Sequence, residues 1–237
     1  MTSTINVEGA DTAMGLYEAP PQGQAQGAVV VIQEAFGVTE HIEDVCRRFA
    51  AEGYLAVAPH LFHRSGDPVI AYEEMEKVYP HVMALNAEGL AADLDAALGY
   101  LTDAGFEPER MAVVGFCMGG SVAYWAGERQ ALGAAVSFYG GGIAGGRFGI
   151  SPLVELAAQL KTPWLGFFGD LDQTISVDEV ESLRNATQLT KVPTEIVRYP
   201  AAEHGFHCDA RSSYHEASAK DAWQQTVQWL TTHLAGS

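Results

Sequence analysis

A cysteine lies in the predicted strand-to-helix turn Gly115-Phe116-Cys117-Met118-Gly119, which has the pattern Gly-x-nucleophile-x-Gly and is followed by Gly120. A sharp turn of this kind needs small residues, because neighbouring backbone approaches it closely. Each glycine costs about 1 kcal/mol at the start of a helix, so close packing is the reason we expect for the pair. The helix N-terminus would lower the pKa of the thiol and offer the Met118 N–H to an oxyanion. We therefore predict that Cys117 is a nucleophile in acyl transfer.

Three other predicted strands end in acidic or imidazole side chains. Glu34 follows the first of them, Asp170 and Asp172 follow the second, and His204 follows the last. The carboxyl ends of parallel strands meet at one edge of a sheet, so we expect these groups in one cleft with the thiol. The chain order nucleophile, acid, histidine is that of hydrolase triads on α/β sheets. His204 would accept the thiol proton and one aspartate would orient it, but the residues alone do not choose between Asp170 and Asp172.

Six short apolar runs predict the strands that would position these side chains. Continuous apolarity is typical of strands that are buried on both faces of a parallel sheet. The runs cover residues 28–33, 54–58, 111–116, 133–138, 163–168 and 194–199. Stretches with helical spacing lie between them, so the chain reads as α/β, with a mostly parallel, doubly wound sheet and helices on both faces.

The domain organisation follows from the length of 237 residues and the absence of a second composition regime. We predict one domain over 1–237, in which residues 28–237 form the core. The runs INVEG and AMGLYEAP, within 1–27, could pair as an edge hairpin.

Composition and charge exclude several function classes. The formal net charge of -17 makes binding to nucleic acid or to a membrane surface unfavourable, and no apolar run is long enough to cross a membrane. We expect Cys46 and Cys208 to be structural, because neither has the turn of Cys117 and three scattered cysteines form no disulfide framework. No signal peptide is visible, so we expect a cytoplasmic protein. No Cys-x-x-Cys pair suggests a zinc site, so we expect no metal. We also expect a monomer without a cofactor.

From residue 28 onward the chain resembles the dienelactone hydrolase family, the carboxymethylenebutenolidases, within the α/β-hydrolase superfamily. The resemblance rests on the ordered motifs QEAFG, YLAVAP, VGFCMGG, GDLDQ and HGF. It implies a catalytic triad of Cys117, Asp172 and His204, with Glu34 holding the resting thiol. It also implies that the backbone N–H groups of Ala35 and Met118 form the oxyanion hole. The implied reaction is hydrolysis of a lactone or small carboxylic ester through an acyl-thiol intermediate.

One feature departs from the family pattern. The family binds substrate carboxylates with arginines, one of them four residues after the catalytic histidine, where this chain has Cys208. Arg64 and Arg211 are nearby in sequence but do not match, so no substrate-binding residue is assigned. Two alternatives stay open: a promiscuous esterase or thioesterase, and a redox sensor in which Glu34 contacts a cysteine that is oxidised to a sulfinate.

Overall fold

The computed structural model describes residues 2–8 and 12–234. The outer limits of the predicted domain, residues 1 and 237, and Gly9 of the INVEG run lie outside the described residues. The strands are β1 (Ser3–Glu8), β2 (Ala13–Ala19), β3 (Gly27–Ile32), β4 (Tyr54–Pro59), β5 (Met111–Phe116), β6 (Ala134–Phe138), β7 (Trp164–Gly169) and β8 (Thr194–Tyr199). The helices are α1 (Glu40–Ala51), α2 (Met75–Ala84), α3 (Ala87–Asp103), α4 (Met118–Arg129), α5 (Leu153–Leu156), α6 (Val177–Thr187) and α7 (Glu216–Leu234).

The strands form one eight-stranded sheet in the order β1-β2-β4-β3-β5-β6-β7-β8. From β4 to β8 all neighbours are parallel, whereas β1 and β2 form an antiparallel hairpin whose β2 pairs with β4. The predicted fold class is therefore confirmed, and the first two strands pair as a hairpin at one edge of the sheet. The prediction that 194–199 is buried on both faces is wrong: β8 is the edge strand, and only Ile196 in it is buried.

The two faces of the sheet are covered by different helices, because successive side chains of a strand point in opposite directions. Val29 and Val31 of β3 pack into the cluster that contains the buried residues of α1, α6 and α7. Val30 and Ile32 pack into the other cluster, with α3 and much of α4. Both faces of the central strands are thus apolar, which explains why their sequences show no alternation.

Helix α2 is attached more loosely than the others. Val78 is its only buried residue, and it packs with Phe36 and Ile70 in a small cluster of its own. Among residues 2–8 and 12–234, no helix has the length and apolar character that crossing a bilayer needs.

Candidate active site

The turn between β5 and α4 places Cys117 at the carboxyl edge of the sheet. Cys117 has φ 54° and ψ −116°, a strained conformation for a residue with a side chain. The glycines around it are required by close backbone approach: a Cβ on Gly115 would lie 1.9 Å from the Gly119 carbonyl oxygen. A Cβ on Gly119 would lie 2.5 Å from the carbonyl oxygen of Ile32. Close approach of backbone, the reason expected for the pair Gly119 and Gly120, is therefore what the structure shows.

Cys117 and His204 lie next to each other at the same cleft, and each shifts the pKa of the other. Burial alone would raise the pKa of Cys117, but the charge and hydrogen bond of His204 outweigh it, so the pKa is lowered. Burial alone would lower the pKa of His204, but the Cys117 sulfur and the Asp172 carboxylate raise it to about 10. Each group therefore stabilises the charged form of the other, the thiolate of Cys117 and the imidazolium of His204.

Asp172 orients His204 from the other side. Its Oδ2 lies 2.7 Å from His204 Nδ1, and its Oδ1 accepts hydrogen bonds from the Thr174 N–H and hydroxyl, both at 2.7 Å. Burial alone would raise the pKa of Asp172, but the hydrogen bonds of His204 and Thr174 lower it. Asp170, the other candidate, is held by Arg198 through two contacts of 2.7 and 2.8 Å. The structure therefore brings Asp172 rather than Asp170 to the histidine.

Glu34 is 1% exposed and lies beside this group, but it is not hydrogen bonded to the thiol. Its Oε1 accepts hydrogen bonds from Arg211 Nη1 at 3.2 Å and from the Tyr139 hydroxyl at 3.3 Å. Its Oε2 is buried with no hydrogen-bond partner among the described residues. The resemblance implies a resting thiol beside Glu34; in this structure the thiol pairs with His204 instead.

The two expected oxyanion donors lie at the start of α4 and on the cleft wall. Met118 is the first residue of α4, where an N–H has no acceptor within the helix. Ala35 lines the cleft that contains Cys117. Both N–H groups belong to segments that border the thiol.

A cleft of about 560 Å³ lies above Cys117 and His204. Its apolar wall comes from α2 and two loops and consists of Phe36, Met75, Val78, Tyr79, Val82 and Ile175. Two guanidinium groups also line it, those of Arg147 and Arg211. The cleft can therefore hold an apolar group and an anionic group next to the thiol.

Arg147 and Arg211 are the site residues that the sequence did not assign. Arg211 is placed by Gly205, whose φ is +79° and whose Cβ would lie 2.4 Å from Arg211 Nη1. Arg147 packs against Gly142 and over the Phe148 ring, and its guanidinium has no carboxylate partner among the described residues. No spacing relative to Cys117 or His204 marks either arginine, because both reach the cleft through irregular loops.

The two other cysteines lie outside the cleft. Burial raises the pKa of Cys46 and raises that of Cys208 to about 11, so both are protonated thiols at neutral pH. The Cys208 thiol donates a hydrogen bond to the Tyr72 hydroxyl at 3.3 Å.

Comparison with known proteins shows the family to which the chain is similar. A family model described as "Dienelactone hydrolase family" matches residues 14–234. A protein of Escherichia coli O157:H7 described as "Putative carboxymethylenebutenolidase" is 40% identical over 223 residues, which are 92% of this chain and 82% of the relative. A Bradyrhizobium protein described as "Probable 2-oxo-3-(5-oxofuran-2-ylidene)propanoate lactonase" is 30% identical, over 88% of this chain and 85% of its own.

Two solved structures place the fold. A crystal structure described as "Putative Dienelactone Hydrolase", from Klebsiella pneumoniae, superposes with a TM-score of 0.88 at 37% identity and covers 98% of both chains. Pyrococcus horikoshii acylaminoacyl peptidase has a TM-score of 0.75 at 12% identity, covering 100% of this chain and 42% of its own. At that identity the second likeness concerns the fold alone.

Proposed function

The chain belongs to the dienelactone hydrolase family of α/β-hydrolases, and from that premise we propose that it hydrolyses lactones or small carboxylic esters through a covalent intermediate on Cys117. Membership of the family makes it a hydrolase of ester bonds; the nucleophile and the substrate are what we propose. The observation that carries the proposal is the chain of contacts from the Cys117 thiol through His204 to Asp172, at the floor of a cleft. A redox sensor would not require the hydrogen bond between His204 and Asp172.

The reaction proceeds in two halves. The Cys117 thiolate attacks the carbonyl carbon, and the negative charge on the carbonyl oxygen is stabilised by the N–H groups of Met118 and Ala35. The tetrahedral intermediate collapses, the carbon–oxygen bond breaks, and the His204 imidazolium protonates the leaving alkoxide. Neutral His204 then removes a proton from water, whose oxygen attacks the thioester. Collapse releases the carboxylic acid and restores the thiolate beside a protonated His204.

Arg211 limits the effect of Glu34 on this chemistry. A buried carboxylate near the thiol raises the pKa of Cys117. The guanidinium of Arg211, which binds Glu34 at 3.2 Å, neutralises that charge. Arg211 therefore helps to keep the nucleophile ionised, although it is not one of the three residues of the proposed triad.

The cleft also suggests the substrate class. Arg147 presents a guanidinium that the described part of the chain leaves without a carboxylate partner, opposite a wall of apolar side chains. A guanidinium in such a position binds carboxylates well, often with two hydrogen bonds. The substrate class is therefore a lactone or ester that carries both an apolar body and a carboxylate, in agreement with the propanoate lactone for which the Bradyrhizobium relative is described.

Pre-steady-state kinetics with p-nitrophenyl acetate test the proposed nucleophile. The wild type should release a burst of nitrophenol equal to the enzyme concentration, and intact-mass measurement should find one acetyl group on Cys117. Cys117→Ala should lose both signals, whereas Cys46→Ala, which removes a thiol outside the cleft, should keep them. A full burst in Cys117→Ala would exclude the proposed nucleophile. Stoichiometric oxidation by peroxide without any turnover would favour the redox sensor.

A further inference from the structure

Three side chains that can bind metals meet behind the loop that carries His204. His41, at the start of α1, lies next to Cys208 and Asp209 of that loop. One ligand atom from each, an imidazole nitrogen, a sulfur and a carboxylate oxygen, all lie within 4.8 Å of one another. Neither the proposed reaction nor the packing of the core makes use of this combination.

The His41 ring is buried, but its nitrogen atoms lack hydrogen bonds to the described residues. Its side chain is only 3% exposed, and its Nε2 has no hydrogen-bond partner among the described residues. Its Nδ1 lies 4.0 Å from Asp209 Oδ1, which is too long for a hydrogen bond. Neither ring nitrogen is therefore hydrogen bonded to the described residues, and a cation at Nδ1 would give one of the two a partner.

We propose that His41, Cys208 and Asp209 form a binding site for a thiophilic divalent cation, for which Zn²⁺ is the best match. Nitrogen, sulfur and oxygen donors are the set that Zn²⁺ prefers, with three protein ligands and a water in a tetrahedron. This site is independent of the proposed hydrolysis. It goes against the expectation of no metal, which rested on the lack of a Cys-x-x-Cys pair and could not foresee ligands brought together by the fold.

The pair formed by His41 and Asp209 requires only a small closure, and the Cys208 sulfur lies within 4.8 Å of both of their ligand atoms. Bonds of about 2.1 Å from Zn²⁺ to nitrogen and to oxygen place those two atoms about 3.4 Å apart in a tetrahedron. The observed separation of 4.0 Å between His41 Nδ1 and Asp209 Oδ1 must therefore shorten by about 0.6 Å. The Asp209 side chain is 78% exposed and free to make that movement. A surface cleft lined by His41 and Asp209 gives access for the cation and its water.

The surroundings favour a cation with a neutral imidazole ligand. Glu40, Asp44 and Asp209 line the same surface cleft; Arg47 pairs with the first two, and Asp209 is the carboxylate that faces His41. His41 would coordinate the cation as a neutral imidazole. On binding, a bond forms between the cation and the Cys208 sulfur, the S–H bond breaks, and the proton leaves to solvent. The Tyr72 hydroxyl, which accepts the S–H now, would then donate to the thiolate.

Cobalt absorption spectroscopy tests the site, because tetrahedral Co²⁺ shows strong visible bands and a thiolate adds a charge-transfer band in the near ultraviolet. The titration uses the full chain as the Cys117→Ala variant, so that Cys117 cannot supply the thiolate. We expect one equivalent of Co²⁺ with both signatures, displaced by one equivalent of Zn²⁺. Cys208→Ser should lose the charge-transfer band and bind Zn²⁺ at least about 100-fold more weakly by calorimetry, since even indirect partners of a metal change its affinity 10- to 100-fold.

Asp209→Asn serves as a second variant, because an exposed side chain can be changed without risk to folding. It should keep the thiolate band but weaken Zn²⁺ binding, whereas Asp178→Asn, an acid on the distant helix α6, should leave the affinity unchanged. Three results would overturn the proposal: no thiolate band in Cys117→Ala, equal Zn²⁺ affinity in Cys208→Ser, or equal weakening by Asp178→Asn and Asp209→Asn, which would indicate an adventitious ion only.

Discussion

Replacing Gly119 with alanine should disable the enzyme without unfolding it. The added Cβ would lie 2.5 Å from the carbonyl oxygen of Ile32 and 2.6 Å from that of Gln33. Both atoms belong to backbone, at the end of β3, so neither can rotate away. The start of α4 must therefore move away from β3, and it carries Cys117 and Met118 with it.

The size of the effect follows from that movement. Ordinary contact begins at 3.4 Å, so the first turn of α4 must shift by about 0.9 Å. A misplacement of about 1 Å at a catalytic group lowers the rate about 10²-fold, and loss of one oxyanion donor lowers it about 10²- to 10³-fold. We expect kcat/KM to fall about 10²- to 10³-fold. Overpacking costs about 1–3 kcal/mol of stability, of which alanine in a helix returns up to about 1 kcal/mol.

Two matched glycines control the experiment. Gly127→Ala lies in the same helix, but its Cβ would meet only side chains, the nearest at 3.3 Å. Gly99→Ala in α3 meets nothing within 4 Å and should stabilise the protein by about 0.5–1 kcal/mol. The assay is hydrolysis of p-nitrophenyl acetate beside thermal unfolding of each variant. Wild-type kcat/KM in folded Gly119→Ala would refute the argument that the position of this turn sets the rate.

Four further outcomes test separate parts of the site. Asp172→Asn should fold normally and lose about 10³- to 10⁴-fold in kcat, because an amide holds the wrong tautomer of the histidine; wild-type turnover would exclude Asp172 as the orienting acid. The pH profile of kcat/KM should fall on its alkaline side near pH 10, where His204 loses its proton, and this limb should move to lower pH in Asp172→Asn; an unmoved limb would contradict the assignment. Arg147→Gln should raise KM for a carboxylate-bearing ester about 10- to 100-fold and change KM for p-nitrophenyl acetate much less; equal effects on both would exclude an anion site. Burial holds the pKa of His207 well below its ordinary value, so below pH 6.5 only the unfolded state binds the proton and the free energy of unfolding falls. His207→Phe should reduce this fall in denaturant titrations; an unchanged dependence of the free energy of unfolding on pH would argue against it.

The central strands could be predicted from the sequence because their residue types indicate that both of their faces are buried. Every residue of β3 and β5 is buried, so each run is apolar throughout. Strand β8 shows the limit of this reasoning. It contains Glu195 and Arg198 beside its apolar residues, and it lies at the edge of the sheet, where most of its side chains are only partly buried.

The site shows the same difference between features that local sequence determines and features that the fold determines. Cys117 could be predicted because a tight turn requires glycines at fixed local positions. The choice between Asp170 and Asp172 could not be made from residue types, since it depends on Arg198, which the fold brings to Asp170 from another strand. Arg147 was missed because its position is set by an irregular loop with no periodicity to read.

The segment after β8 connects these observations. Gly205, with φ +79°, lets the chain turn so tightly that Arg211 returns to lie against it and reach Glu34. That turn also directs His204 toward the thiol on one side and Cys208 and Asp209 toward His41 on the other. One short stretch therefore positions the proposed base, the arginine next to the proposed nucleophile and the proposed cation site. The φ of +79° favours glycine at residue 205, and the space that a Cβ would occupy is taken by the guanidinium of Arg211, which the sequence pattern did not reveal.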